Sequence, residues 1–244
     1  MKKLAIVGYG RMGKLLDRLA PDHDFEVCSR IDPVLGTSLQ DASLADADVC
    51  IEFSTPTVAW NNISQLIQLQ KPVVCGTTGW LDHLPELHAL AASQSLSVVY
   101  GSNFSVGMNL FFEIVSHTAT LMSTQAQYDA YGLELHHNRK KDSPSGTARK
   151  LSDIILSRGT KTTAQFDRLN RQPLPEEFHF ASVRAGDIPG THLIGFDSVA
   201  DSIELKHTAR NREGFALGAL LAASWLLSHP GIHEFSSIFK DLHR

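Results

Sequence analysis

Five short apolar runs divide the first hundred residues and decide what this chain can fold into. Residues 4–7, 25–28, 49–53, 73–75 and 98–100 are largely apolar, so both faces of any strand they form must be covered. Between them, residues 11–20, 58–69 and 82–93 carry apolar side chains at helical spacing. This alternation predicts an α/β fold with a Rossmann-type, doubly wound parallel sheet.

The first run leads directly into Gly8-Tyr9-Gly10-Arg11-Met12-Gly13, a G-x-G-x-x-G turn between strand and helix. In that setting the glycines permit a tight turn, close approach of backbone to a pyrophosphate, and close packing of helix on sheet. The helix start offers free N–H groups and the positive end of its dipole to phosphate. The second strand leads to Asp32, about twenty residues beyond the turn, where an acidic side chain accepts hydrogen bonds from ribose hydroxyls. Asp32 would also repel a 2′-phosphate, which favours NADH. Arg11 and Arg30 keep NADPH possible, since either could pair with that phosphate. Gly76-Thr77-Thr78-Gly79 and Gly101-Ser102-Asn103-Phe104 follow the fourth and fifth strands, at the carboxyl ends where ligands of open α/β sheets bind.

After Asn103 the pattern changes. Residues 106–122 read as one long helix with Leu110, Phe111, Ile114, Val115 and Leu121 as its apolar stripe. Residues 131–136, 178–183, 192–196 and 202–206 alternate apolar with polar side chains, as half-buried strands do. The last three follow one another across short connections, which predicts a meander within a second, α+β region with an open mixed sheet. A helix over 215–227 is apolar nearly all round and is expected to pack, buried, on the first domain. Residues 159–175 are polar and irregular and read as a surface excursion.

The densest chemistry lies in residues 134–148. Leu133 and Leu135 are expected to face the core, with His136 pointing away from it and His137 turned to the other side. Adjacent strand histidines diverge, and no carboxylate or cysteine cluster completes a ligand set, so no metal is expected. Pro144 suits the start of a helix that runs to about residue 157. The unpaired N–H groups of Gly146 and Thr147, with the Ser145 and Thr147 hydroxyls, would form a carboxylate receptor. Lys140 adds positive charge, whereas Arg139 and Lys141 read as a solvated basic loop. The set suits a small dicarboxylate that needs a proton, because histidine titrates near neutrality with a free pKa of ~6.5.

Composition excludes other partners. A net charge of −4 gives no electrostatic reason to expect a nucleic-acid partner. Residues 4–7 are too short for a signal-peptide core of ~7–15 residues, and 215–227 falls short of the ~20 residues that span a bilayer. No membrane association and a cytoplasmic location are therefore expected. Cys28, Cys50 and Cys75 form no CxxC pair and read as buried, reduced thiols.

The series G-Y-G-R-M-G at Gly8, G-T-T-G at Gly76, N-F-S-V-G at Asn103, E-L-H-H-N-R-K-K-D-S-P-S-G-T-A at Glu134 and V-R-A-G-D at Val183 runs through nearly the whole chain. It resembles the 4-hydroxy-tetrahydrodipicolinate reductases (dihydrodipicolinate reductases) of the diaminopimelate–lysine pathway. The resemblance implies NAD(P)H-dependent reduction of a cyclic dicarboxylate in a homotetramer. It divides the chain into residues 1–104, completed by 212–244, for the nucleotide, and residues 105–211 for substrate and oligomerisation, with hinges near Ser105 and Arg212. It makes His136 the acid–base residue and Lys140 a proton donor. Substrate would be held by His137, Lys140, Ser145, Gly146 and Thr147. Cofactor contacts would come from Gly8, Tyr9, Gly10, Arg11, Met12, Gly13, Asp32, Gly76, Thr77, Thr78, Gly101, Ser102, Asn103, Phe104 and Arg212.

Two features depart from the family pattern. The glycine turn is one residue shorter than the G-x-x-G-R-M-G of many members, and Asp32-Pro33 stands where many have an acidic–arginine pair. Two rival readings share the nucleotide turn. One is another Rossmann-type amino-acid or hydroxy-acid dehydrogenase, and the other a non-catalytic NADH-binding regulatory module. The H-H-x-x-K…S-G-T set argues against the second, since a sensor needs no proton donor.

Overall fold

The computed structural model describes residues 1–92, 95–239, 241 and 242. The chain forms two compact units, Met1–Val106 with Arg212–Arg244, and Gly107–Asn211. In the first unit, β1 (Lys2–Val7), β2 (Phe25–Ile31), β3 (Val49–Glu52), β4 (Val73–Cys75), β5 (Ser97–Tyr100) and, near the chain's end, β11 (Gly231–Glu234) build one parallel sheet. Its order is β11-β5-β4-β3-β1-β2.

Strand β1 shows why this sheet needs covers on both sides. Leu4 and Ile6 enter one apolar cluster with Leu16 of α1 (Arg11–Leu19) and Ala219, Leu220 and Ala223 of α6 (Glu213–Leu226). Ala5 and Val7 enter another with Ile63 and Leu66 of α2 (Pro56–Gln68) and Leu87 of α3 (Leu84–Ala91). Successive side chains of a strand point to opposite faces, so an apolar run without alternation is buried twice. Ser93, the expected end of the third helix, lies outside the described residues. Helix α6 approaches the chain at Phe104 so closely that a Cβ on Gly218 would lie 1.8 Å from the Phe104 carbonyl oxygen. Strand β11 escaped sequence reasoning because Gly-Ile-His-Glu holds a single apolar residue, and only pairing with β5 makes it a strand.

In the second unit, α4 (Val106–Met122) and α5 (Gly146–Arg158) cover one face of a sheet built from β6 (Asp129–His136), β7 (Thr163–Gln165), β8 (Glu177–Arg184), β9 (Thr191–Asp197) and β10 (Ser202–Thr208). The order β10-β9-β6-β8-β7 corrects the expected meander. Strand β6 lies between β8 and β9, parallel to the first and antiparallel to the second. The short connection at residues 185–190 therefore passes over the end of β6 instead of making a hairpin. Two bonds fasten it there, Ala185 N–H to the His136 carbonyl at 2.9 Å and Asn138 N–H to the Gly186 carbonyl at 3.2 Å.

Two face assignments are also corrected. Gly132, Glu134 and His136 point to the helix-covered side of β6, whereas Leu133 and Leu135 sit half-buried on the other. Alternation alone cannot tell which face is covered when both carry apolar residues. The deciding neighbour is Phe180, whose ring fills the space a Cβ on Gly132 would need, 2.2 Å away. On α4 the buried stripe is Met108, Phe111, Phe112, Val115 and Ala119, while Leu110, Ile114 and Leu121 are exposed. The buried set follows i, i+3, i+4, i+7 spacing, and this helix is apolar enough on its other side to disguise it. Residues 159–175 contain the edge strand β7 and a buried Lys161 that donates to the Pro175 carbonyl at 2.7 Å.

Candidate active site

The nucleotide-side residues gather at the carboxyl ends of β1, β2, β4 and β5. Gly8 has φ +91, and a Cβ there would sit 2.3 Å from the Phe53 carbonyl oxygen; one on Gly13 would sit 2.2 Å from the Gly8 carbonyl. Around Gly10 a Cβ would meet nothing within 4 Å. Packing thus demands glycine at two of the three positions and leaves the third facing open space. Gly10 caps α1 without any side-chain hydrogen bond, so the first N–H groups of that helix have no intrahelical acceptor. A cradle bare of side chains beside free amides fits a dinucleotide pyrophosphate.

Asp32 closes the end of β2. Its Oδ2 accepts the Tyr9 amide at 2.7 Å and its Oδ1 the Val34 amide at 2.9 Å, which fixes the carboxylate at the mouth of the turn. Of the two arginines expected to bid for a 2′-phosphate, Arg30 is engaged. Its Nε and Nη2 donate to Asp17 at 2.8 and 2.6 Å, and the Tyr9 hydroxyl donates to the same carboxylate. The Arg30 guanidinium outweighs partial burial and holds the Asp17 carboxyl below its ordinary range. Arg11 is exposed at the start of α1.

Gly76 has no room for a Cβ, which would lie 2.1 Å from the Phe53 ring. The buried Thr77 hydroxyl accepts the Ser54 amide at 2.9 Å, and the Thr77 carbonyl takes the Trp80 indole N–H at 3.0 Å. Thr78 is exposed beside them. After β5, Gly101 packs against Phe235 and Phe104, Ser102 is exposed, and the Asn103 side chain accepts the Ser105 amide at 2.9 Å. Met12 is half-buried in α1, and Arg212 caps α6 from the surface.

The substrate-side residues form a connected cluster at the end of β6. His136 is buried, and its ring packs against Gly190, whose φ of +151 and missing side chain leave the space: a Cβ there would lie 3.1 Å from His136 Nε2. Its Nδ1 has no hydrogen-bond partner among the described residues and faces a Glu134 carboxylate oxygen 3.6 Å away. Glu134 is fully buried. It accepts from the Ser145 amide at 3.1 Å, the Ser145 hydroxyl, the Ser182 hydroxyl at 2.8 Å and Arg184 Nη2 at 2.7 Å, with His192 Nε2 at 3.4 Å. Burial alone would raise the Glu134 carboxyl. Bonds from His192, Ser145, Arg184 and Ser182 outweigh it and hold the group far below the usual range.

His136 moves the opposite way to a typical paired histidine. Its pKa is lowered to about 4, chiefly by burial, with His192, Lys140 and Arg184 adding repulsion that Glu134 only partly offsets. The free protein therefore holds a neutral imidazole at pH 7, in place of the near-neutral titration expected of a free histidine with its pKa of ~6.5.

Three further expectations change. Glu134, His136 and His192 bring ligand atoms within 4.8 Å of one another, so a carboxylate does complete a potential metal trio. The Arg184 guanidinium on Glu134 already supplies the balancing positive charge, which makes a proton and hydrogen-bond network the better description. The Ser145 hydroxyl does not face a ligand: it donates to Glu134 and accepts the Ala148 amide at 3.0 Å as the helix cap. Pro144 precedes that cap instead of opening the helix. The next amides, of exposed Gly146 and half-buried Thr147, precede any intrahelical acceptor. Lys140 Nζ is paired with Asp142 at 2.8 Å, and Arg139 with Asp187 at 2.6 Å. His137 is half-buried with Nδ1 unpartnered among the described residues.

Glu134, Arg184 and His192 are the members that site reasoning missed. An acid set between Leu133 and Leu135 was a visible signal for Glu134, and Arg184 lay inside the V-R-A-G-D stretch. Nothing local marked His192, which reaches the cluster only because β9 pairs with β6 and sets it opposite Glu134.

The family models described as dihydrodipicolinate reductase, N-terminus and C-terminus, match residues 2–104 and 107–239. A 4-hydroxy-tetrahydrodipicolinate reductase of Christiangramia forsetii is 36% identical over 240 residues, covering 98% of each chain. Another, from Staphylococcus aureus strain MW2, is 33% identical over 249 residues, covering 97% of this chain and all (100%) of its own. Among solved structures, a dipicolinate-bound dihydrodipicolinate reductase from Paenisporosarcina sp. TG-14 shares the fold with TM-score 0.77 at 23% identity, covering 98% of this chain and 99% of its own. An aspartate semialdehyde dehydrogenase from Vibrio cholerae gives 0.57 at 10% identity, covering 93% and 99%.

Proposed function

The chain belongs to the dihydrodipicolinate reductase family of oxidoreductases, and from that premise we propose how its own residues reduce 4-hydroxy-tetrahydrodipicolinate to tetrahydrodipicolinate, the hydroxyl leaving as water, in diaminopimelate–lysine biosynthesis. A bound reduced nicotinamide cofactor supplies the hydride. The observation that carries the assignment of roles is the buried His136 beside Glu134, next to a helix start whose first two amides precede any intrahelical acceptor.

The Gly146 and Thr147 amides receive one substrate carboxylate, aided by the positive end of the α5 dipole. Lys140 exchanges Asp142 for a substrate carboxylate, and His137 flanks it. Glu134 favours the proton of neutral His136 on Nδ1, which leaves Nε2 with its lone pair toward the ligand. A dianion arriving there raises the His136 pKa, so that Nε2 takes up a proton and then delivers it to the substrate as negative charge accumulates. Glu134 meanwhile stays ionised, because Arg184 and Ser145 hold it so.

Around the cofactor, Gly8, Tyr9, Gly10, Arg11, Met12, Gly13 and Asp32 serve the adenosine and pyrophosphate portion. Gly76, Thr77, Thr78, Gly101, Ser102, Asn103, Phe104 and Arg212 serve the remainder. Asp32 supports NADH as the preferred cofactor, with NADPH usable. A homotetramer is supported by the sheet face opposite the helices, where Leu133, Leu135, Ala181, Val183 and Leu193 share one apolar surface. Among the described residues no helix is long and apolar enough to cross a membrane. Cys28, Cys50 and Cys75 are unpaired with one another, which supports a cytoplasmic enzyme.

Replacing His136 by Gln tests the central role. The variant should lose kcat by about 10²–10⁴-fold with little change in KM. Turnover within a few-fold of the parent would remove His136 from the reaction.

A further inference from the structure

We propose that Asp17 is a specificity-determining residue of the nucleotide site: by holding Arg30 in a two-bond ion pair, it withholds that guanidinium from a 2′-phosphate and keeps the site selective for NADH. The proposal rests on reading the glycine turn and Asp32 as a dinucleotide site, and adds the residue that sets its preference.

Tyr9 connects the two carboxylates. Its backbone amide donates to Asp32 and its phenol to Asp17, so one residue spans from the ribose-facing acid to the ion pair. Arg30 lies two residues before Asp32, and on an extended chain positions two apart project to the same side. The arginine therefore projects to the same side of the chain as the ribose-facing acid, with its guanidinium taken up by Asp17. Both bonds of the pair use the planar fork that would otherwise grip a phosphate, since carboxylate and phosphate are recognised by the same donor geometry.

Local charge points the same way. Asp17, Arg30 and Asp32 together carry one net negative charge, and a 2′-phosphate brings roughly −1.5 to −2 more. Removing the Asp17 charge leaves Arg30 balanced against Asp32 alone, with its fork free. An asparagine at position 17 keeps the size of the side chain but sets an N–H donor group against the guanidinium, so the two-bond pair cannot re-form.

The test titrates adenosine 2′,5′-bisphosphate and AMP into the parent, Asp17→Asn and Asp17→Ser by calorimetry, and compares kcat/KM for NADPH and NADH. The bisphosphate should bind about tenfold more tightly to either variant, AMP should change by less than about twofold, and the NADPH/NADH ratio should rise in step. Adding Arg30→Ala to either variant should abolish the gain. If both folded single variants bind the bisphosphate as weakly as the parent, or if the gain survives Arg30→Ala, Asp17 does not set the preference. If the parent binds neither AMP nor NADH, the dinucleotide reading itself fails and takes the proposal with it.

Discussion

The two units build their sites from opposite materials. The nucleotide side is made of missing side chains and free amides: Gly8 and Gly13 are forced by packing, Gly10 is open, and Asp32 stands as one fixed carboxylate. The substrate side is made of buried ionisable groups that hold one another in unusual charge states, with Glu134 kept ionised and His136 kept neutral. The first kind of site depends on backbone geometry and tolerates almost nothing at a few positions. The second depends on a balance of charges and shifts gradually as each is removed.

The sharpest way to break this contrast is to add atoms to the glycine turn. Gly13→Val places a side chain against the Gly8 carbonyl, 2.2 Å from the position of its Cβ, and no flexible group is there to yield. It should destabilise the first unit by about 1–3 kcal/mol or more and abolish NADH binding, read by thermal unfolding and by quenching of tryptophan fluorescence. Gly10→Ala should leave the melting temperature almost unchanged, because its Cβ meets nothing, yet weaken NADH affinity. Equal loss of stability in the two variants would contradict the division between packed and open glycines.

On the other unit, the corresponding experiment removes a charge. Arg184→Met leaves Glu134 fully buried without its cation, and breaking a buried pair from one side costs about 3–5 kcal/mol. Glu134→Gln should do less harm, because Arg184 loses its carboxylate but still donates to the Asp142 and Val183 carbonyls. Changing both together, to Gln and Met, should recover part of the loss, since the penalty lies in an uncompensated charge. Purely additive losses measured by chemical denaturation would show that the two groups do not act as a pair.

Charge balance also predicts a pH response that the glycine turn lacks. The folded-state pKa of His136 is about 4, below its ordinary 6.5, so the unfolded chain binds a proton more readily. Stability from this group is complete above pH 6.5 and is lost as pH falls towards 4. His207, also lowered by burial, adds in the same direction. Denaturation midpoints should fall between pH 6.5 and 4.5, and His136→Gln should flatten much of that slope. Pyridine-2,6-dicarboxylate, a dianion, should take up a proton on binding near pH 5.5, seen as a buffer-dependent heat in calorimetry. Binding without proton uptake would mean that the ligand does not reach His136.

What the sequence disclosed follows the same division. Strand runs buried on both faces, such as residues 73–75, and a glycine turn between strand and helix are local patterns, and each was readable from its own residues. Which way β6 faces was not, because both Leu133 and Gly132 stand in alternating rows and the answer lies in the Phe180 ring of a neighbouring strand. The placement of β6 between β8 and β9 was hidden for the same reason: a short connection looks the same whether it turns back or crosses over. Glu134 could be noticed, but its cluster with Arg184 and His192 exists only through that pairing. The depressed pKa of His136 then follows from burial that no spacing rule contains.

Ser145 joins the two kinds of construction, and its loss should have the smallest effect of the series. The hydroxyl caps α5 by accepting the Ala148 amide at 3.0 Å, as a serine at a helix start does, and it donates to Glu134 as well. Ser145→Ala removes both bonds but leaves the Ser145 amide on Glu134 at 3.1 Å and Arg184 at 2.7 Å, so the carboxylate keeps its cation. The cap contributes about 0.5–2 kcal/mol, which should appear as a modest fall in melting temperature. Function should suffer through position: the Gly146 and Thr147 amides are aimed by the turn that Ser145 closes, so KM for the dicarboxylate should rise several-fold while kcat changes less. Ser145→Thr, which keeps the hydroxyl, should restore KM even if the added methyl lowers stability. A kcat loss as large as that of His136→Gln, with KM unchanged, would instead put the Ser145 hydroxyl among the proton-transferring groups.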